Sequence, residues 1–211
     1  MNERALVIDF DGTITEQDTL DELAQRFGDE DVFAEVEGAL LGGDLPLHEV
    51  IRREFAPVKT PLPEAVDWVL ANARLRPGFS ELVHHARERG YDVTVVSSGF
   101  AELIRPVLDR EGLGDLRLIA SSIDPDPAGW RISFHDDEEC PVCGQACKRA
   151  SVQALANGGQ VVYVGDGYSD RCAAELADRV FARAGLASYL DGRGVPYEPF
   201  EDFHDITRAL S

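Results

Sequence analysis

Two aspartates, Asp9 and Asp11, stand two residues apart where an apolar run over 5–8 gives way to Gly12. A β-strand alternates its faces with period 2, so a strand ending here would leave both carboxylates pointing the same way. Carboxylates this close repel each other unless a proton or a cation is shared between them. The pair could do acid–base or nucleophilic work; Asp-Gly is also a common turn dipeptide. Three further pieces supply what such chemistry needs. The run Asp92-Val93-Thr94-Val95-Val96 ends in Ser97-Ser98-Gly99, and Gln160-Val161-Val162-Tyr163-Val164 ends in Gly165-Asp166-Gly167-Tyr168-Ser169-Asp170. Asp166 and Asp170, four apart at a loop-to-helix junction, can share one face. Lys148 is one of only two lysines in a chain with 20 Lys+Arg. It offers a compact, strongly hydrated point charge, or it is an ordinary surface lysine.

The elements that must position these groups alternate in type. Apolar patterns predict strands near 5–9, 92–96, 116–120, 160–164 and 180–182, with helices between them, and a hairpin over 123–134 around Pro125-Asp126-Pro127-Ala128-Gly129. Such alternation implies a doubly wound, mainly parallel α/β sheet. Sheets of that kind bind ligands beyond the C-terminal ends of their strands, where Asp9 and Asp11 would lie. Helical periodicity near 19–27, 32–41, 47–55 and 63–73, broken at Gly42-Gly43-Asp44 and over 57–63, predicts a helical insert after the first strand.

In this order and spacing the pieces resemble the motif set of haloacid dehalogenase (HAD) superfamily phosphatases, in the branch that includes phosphoserine phosphatase. Asp9-Phe10-Asp11-Gly12-Thr13 resembles the first motif, Ser97-Ser98-Gly99 the second, Lys148 the third and Gly165 to Asp170 the fourth. Ser98, where glycine is usual, and Tyr168-Ser169, where Ala-Asn is usual, depart from it. The resemblance implies a Rossmann-like HAD core over 1–13 and 76–211 and a helical cap over 14–75. It also implies hydrolysis of a phosphomonoester through an aspartyl-phosphate. Asp9 would be the nucleophile and Asp11 the general acid and base. Ser97, with Ser98 and Gly99, would hold phosphate oxygens, and Lys148 would balance charge. Four carboxylates beside a phosphate need a hard divalent cation, and Mg²⁺ suits them. The Asp9 carboxylate, the Asp11 carbonyl and the Asp166 carboxylate would hold it, with Asp170 orienting ligands or Lys148.

The cap would choose the leaving group. Asp18 occupies the position where a phosphoserine phosphatase cap presents an acid to the substrate amine; it would serve equally as the N-cap of a helix starting at Thr19. Arg52 or Arg53 could meet a substrate carboxylate or lie on a solvated face. Cys140-Pro141-Val142-Cys143-Gly144-Gln145-Ala146-Cys147, leading into Lys148, is instead similar to methionine-salvage enol-phosphate (2-hydroxy-3-keto-5-methylthiopentenyl-1-phosphate) phosphatases and phosphoethanolamine/phosphocholine phosphatases. Two thiolates three apart around Pro and Gly have the form of a zinc knuckle. Cys147 and Cys172 would complete a Cys₄ Zn²⁺ site; a redox pair or plain reduced thiols are the alternatives. His135-Asp136-Asp137-Glu138-Glu139 reads as a solvated acidic loop, with adventitious metal binding as the alternative.

Composition sets limits. A net charge of -19 argues against nucleic acid or an anionic membrane as partner. No apolar run approaches the roughly 20 residues of a membrane span, and no signal peptide is evident, so the expected compartment is the cytoplasm. The expected partner is a small phosphorylated metabolite. The competing reading is a non-catalytic, zinc-stapled HAD-fold binding or scaffold protein.

Overall fold

The structure, a computed structural model, describes residues 4–126 and 128–211. Seven strands form one sheet: β1 (Arg4–Ile8), β2 (Tyr91–Phe100), β3 (Arg117–Asp124), β4 (Arg131–Ser133), β5 (Gln160–Gly165), β6 (Arg179–Ala182) and β7 (Glu198–Pro199), in the order β4-β3-β2-β1-β5-β6-β7. All neighbours are parallel except β3 and β4. That antiparallel pair is the predicted hairpin; Pro127 in its turn lies outside the described residues.

Strand β1 sits at the centre because it is apolar on both faces. Leu6 and Ile8 pack on one side, beneath α5 (Phe79–Glu88), α6 (Ala101–Arg110) and α10 (Phe203–Ala209). Ala5 and Val7 pack on the other, against α7 (Arg149–Ala156), α8 (Arg171–Ala174) and α9 (Ala184–Arg193). A strand buried on both faces is what a parallel sheet with helices on each side demands.

Four helices lie between β1 and β2: α1 (Thr19–Phe27), α2 (Glu30–Gly42), α3 (Leu47–Phe55) and α4 (Leu62–Asn72). Asp18 and Asp29 cap α1 and α2 by accepting from the second and third backbone amides, and Gly43 ends α2 in the left-handed conformation. The insert is closed at its base by an antiparallel bridge between Thr15 and Leu75. It is seated on the core through Phe55, whose ring meets Phe100 edge-on at 4.8 Å and stacks near Trp130 at 6.0 Å. Among the described residues no helix is long and apolar enough to cross a membrane.

Candidate functional site

Asp9 follows the last residue of β1, on the face shared by Ala5 and Val7. That face looks toward β5 and the start of α7, so Asp9 meets Lys148, the residue before α7. Lys148 is 1 % exposed and reaches two carboxylates, Asp9 and, at 2.8 Å, Asp170. Burial would lower its pKa; Asp170 and Asp9 outweigh this and hold the ammonium above its ordinary range. Asp170 is the most heavily bonded group of the site. It accepts from Lys148, from the Tyr163 hydroxyl at 2.7 Å, and from the Asp166 and Gly167 amides at 2.9 Å each. Burial pushes Asp170 up, but Lys148 and these hydrogen bonds overcome it and keep the carboxyl below the usual range. Asp9 is raised, chiefly by burial and then by Asp170, with Lys148 opposing. Asp166 is raised to about 7, by burial and then by Asp170.

Asp11 does not share Asp9's strand face. The strand ends at Ile8, and an irregular turn over Phe10–Ile14 with Gly12 at φ 75 carries Asp11 to a separate set of partners. Its carboxylate accepts from Thr19 at the start of α1 and from Ser97 at 3.2 Å. Gly12 and Gly99 permit this packing. A Cβ on Gly12 would lie 2.5 Å from an Asp166 oxygen, and one on Gly99 2.8 Å from an Asp11 oxygen. Strand β2 does not stop at Val96 as predicted. It continues through Ser97, Ser98 and Gly99 with an irregularity in its pairing to β3 between Ser97 and Phe100. Such irregularities re-aim side chains beside sites; here the Ser97 Oγ accepts from the Gly99 amide at 2.9 Å while donating to Asp11.

Asp9, Asp11, Ser97, Ser98, Gly99 and Asp166 line a cleft of about 210 Å³ between the strand ends and the helical insert, with Lys148 and Asp170 buried behind them. The opposite wall is acidic: Asp18, Asp21, Glu37 and Glu54 line it. Asp18 caps α1, accepting from the Leu20 and Asp21 amides at 3.1 and 3.0 Å, and also borders the cleft.

Residues 6–175 match the family model of haloacid dehalogenase-like hydrolases. The chain belongs to that family. It is 32% identical, over 97% of its length and 94% of the relative's, to the 2-hydroxy-3-keto-5-methylthiopentenyl-1-phosphate phosphatase of Geobacillus thermodenitrificans (strain NG80-2). It is 29% identical to the polyol phosphate phosphatase PYP1 of Saccharomyces cerevisiae (strain ATCC 204508 / S288c), over 100% of this chain and 93% of PYP1. A solved phosphoserine phosphatase, an analogue of its phospho-aspartyl intermediate, superimposes with TM-score 0.77 at 21% identity over 100% of both chains. The HAD hydrolase is thus an enzyme, a phosphoric monoester hydrolase, and the scaffold reading is not favoured.

Several predicted residues of the HAD hydrolase fall elsewhere. Arg52 and Arg53 do not line the cleft. Both are exposed and pair with Glu49 on their own helix, at 3.3 and 2.7 Å, and Arg52 also covers the Phe134 ring. Helical spacing explains this: the buried stripe of α3 is Val50, Ile51, Glu54 and Phe55, which turns residues 52 and 53 outward. The 135–139 segment is not wholly solvated. His135 and Asp136 are largely buried, with side chains 11% and 12% exposed, and Asp136 accepts from Ser151 at 3.0 Å.

Sequence reasoning missed Thr13, Tyr163 and Arg76. Thr13 donates to Asp166 at 2.7 Å, and Tyr163 supports Asp170 from within β5. Buried Arg76 ties down the turn by donating to the Gly12, Thr13 and Thr15 carbonyls at 2.9, 3.0 and 3.2 Å. An arginine directly after the insert, and a tyrosine inside an otherwise aliphatic strand, were the available signals.

The four cysteines converge, with their sulfurs all within 4.8 Å of one another. Cys143 and Cys147 lie 3.5 Å apart and Cys140 and Cys172 3.9 Å apart, and all four are free thiols. The 140–147 turn is closed by a Gly144 amide donating to the Cys140 carbonyl at 2.9 Å. It places the cluster immediately before Lys148.

Proposed function

We propose that this HAD hydrolase is a Mg²⁺-dependent phosphatase of small phosphorylated metabolites, working through an aspartyl-phosphate on Asp9. The carrying observation is the pairing of a buried carboxylate held by Lys148 with a second one, Asp11, held by Ser97 and Thr19 in the same cleft. Two carboxylates in different surroundings can take different roles. Asp9 attacks phosphorus in line while Asp11 gives its proton to the departing alcohol oxygen. Asp11, now ionised, takes a proton from the water that attacks the acyl-phosphate, and Asp9 is regenerated. Ser97, Ser98 and Gly99 lie where they can hold phosphate oxygens, and Lys148 offsets charge on Asp9.

The donor set suits a hard cation. Carboxylate oxygens of Asp9, Asp166 and Asp170 lie within 4.8 Å of one another, and the bare Gly12 leaves Asp166 its room. Asp9 and Asp166, with the Asp11 carbonyl, would hold Mg²⁺, since the Asp170 oxygens are already engaged. Bound there, Mg²⁺ supplies charge neutralisation and orientation for the phosphate. Helices α1 to α4, within residues 14–75, serve as the cap that closes on substrate and excludes water.

The cysteine cluster we read as a structural Zn²⁺ site. Zn–S bonds of about 2.3 Å put tetrahedral sulfurs about 3.8 Å apart, close to the separations above. The metal would fix the loop that presents Lys148. Candidate substrates are the enol phosphate and polyol phosphates of the named relatives, phosphoethanolamine or phosphocholine, and phosphoserine. The test is turnover of p-nitrophenyl phosphate with Mg²⁺ or with EDTA, in the native enzyme and in Asp9→Asn. Mg²⁺-dependent turnover that vanishes in Asp9→Asn is expected; substantial activity in the variant, or with EDTA, refutes the reading. Metal analysis should find one zinc per chain, and four freely reactive thiols in zinc-free native protein would end that part.

A further inference from the structure

The acids of the cap wall are not needed for phosphate transfer. Asp21, Glu37 and Glu54 stand on the leaving-group side of the cleft, and no Arg or Lys is among the described residues lining it. Glu54 decides what they are for. It is 3% exposed, on the buried stripe of α3, and its Oε1 has no hydrogen-bond partner among the described residues. An unpartnered carboxylate in such a place costs several kcal/mol unless it is neutralised or meets a cation. Burial, then Glu37 and Asp18, push its carboxyl up to about 8. Among the described residues no cation answers it, since Arg52 and Arg53 beside it are turned to Glu49.

A bare metal ion does not fit this wall. Among the described residues, groups of three or more ligating side chains that converge within 4.8 Å are the four cysteines and Asp9–Asp166–Asp170; the cap acids are not such a group. A cation that draws the proton off Glu54 and takes its place is therefore larger than a bare ion. Leu40, Val50 and Ile51 lie among the acids and give the wall the apolar surface that an alkyl chain or methylated nitrogen would cover.

We infer that Glu54, with Glu37 and Asp21, forms a subsite for a positively charged nitrogen, so that the substrate is a phosphomonoester of an amino or ammonium alcohol. This rests on the phosphatase reading above. It separates the candidates: a neutral enol or polyol leaves Glu54 without a counter-charge, and the carboxylate of phosphoserine would meet acids.

The test compares two non-hydrolysable isosteres, 2-aminoethylphosphonate and n-propylphosphonate, which differ by an ammonium in place of a methyl group. Their binding to the Mg²⁺-loaded protein is measured by calorimetry. A charge-assisted contact predicts about tenfold or tighter binding of the amine, with the preference collapsing in Glu54→Gln and shrinking in Glu37→Gln. Equal binding of the two by the native protein, or an undiminished preference in Glu54→Gln, overturns the subsite. Turnover of p-nitrophenyl phosphate on the same sample separates the two readings. Turnover with equal binding removes only the subsite; amine preference without turnover of any ester removes the phosphatase reading. Failure of both phosphonates to bind counts against both.

Discussion

The two walls of one cleft are built on opposite rules. On the core side each carboxylate has an answer from within the chain: Asp9 from Lys148, Asp170 from Lys148, Tyr163 and two amides, Asp11 from Ser97 and Thr19, and Asp166 from Thr13. On the cap side Glu54 is as deeply buried and has none for its Oε1 among the described residues. A wall whose charges are satisfied internally is preorganised for a reaction that repeats unchanged. A wall left unsatisfied has its partner supplied from outside. On the proposed reading, the contrast separates the chemistry, held on strand ends, from the selection of a leaving group, held on inserted helices.

The largest effect that would break this contrast comes from stripping the core side of its cation. Lys148→Met leaves Asp9 and Asp170 buried and unpaired, which should cost about 3–5 kcal/mol of stability and abolish turnover. Urea unfolding checks the first, and a loss under about 1 kcal/mol would mean that the two carboxylates are not held by Lys148. Next in size is the cysteine cluster. Cys143→Ser should lower zinc content and the melting temperature together, and slow turnover by loosening the loop before Lys148. Unchanged melting with full activity would detach the cluster from the site.

The cap wall gives a smaller, pH-dependent effect. Burial lifts Asp21 and Glu54 to about 8. Between their unfolded values and about 8 the folded protein thus binds more protons than the unfolded one, and stability falls as pH rises. His48, lowered to about 4 chiefly by burial, acts oppositely but only below its ordinary value of 6.5. Melting temperature between about pH 6.5 and 8 should therefore fall more steeply in the native protein than in Glu54→Gln; parallel curves would show that Glu54 is not strained. Smallest of all, Arg52→Ala and Arg53→Ala should change stability by about 0.5 kcal/mol or less and leave kcat/KM within roughly twofold. A larger loss of kcat/KM would return these arginines to the substrate.

The core side of this contrast was readable in the sequence because its information is local. Strand parity, glycine breaks and the order of the motifs placed Asp9, Ser97, Asp166 and Asp170 at neighbouring strand ends, Lys148 stood out as one of two lysines in that motif order, and the spacing of Cys140, Cys143 and Cys147 announced the thiol cluster. Asp11 was found but wrongly aligned with Asp9, since the period-2 rule stops where β1 stops, at Ile8. The cap side was not readable in the same way. Arg52-Arg53-Glu54 looks like a run of solvated charges, and only the packing of α3 buries Glu54 while exposing its neighbours. A signal was present: Glu54 continues the stripe of Leu47, Val50 and Ile51 at helical spacing, where an acid is out of place. Tyr163 was hidden differently, as an apolar strand residue whose hydroxyl finds Asp170 only once β5 and the 166–170 loop are folded together.

Attack by Asp9 on phosphorus is tested most directly by quenching the Mg²⁺-loaded enzyme with acid during turnover of p-nitrophenyl phosphate and mapping the trapped phosphoryl group by peptide mass spectrometry. An alkali-labile phosphoryl group on Asp9 is expected; a phosphoryl group on a serine, a histidine or any other aspartate would rule out Asp9 as the nucleophile.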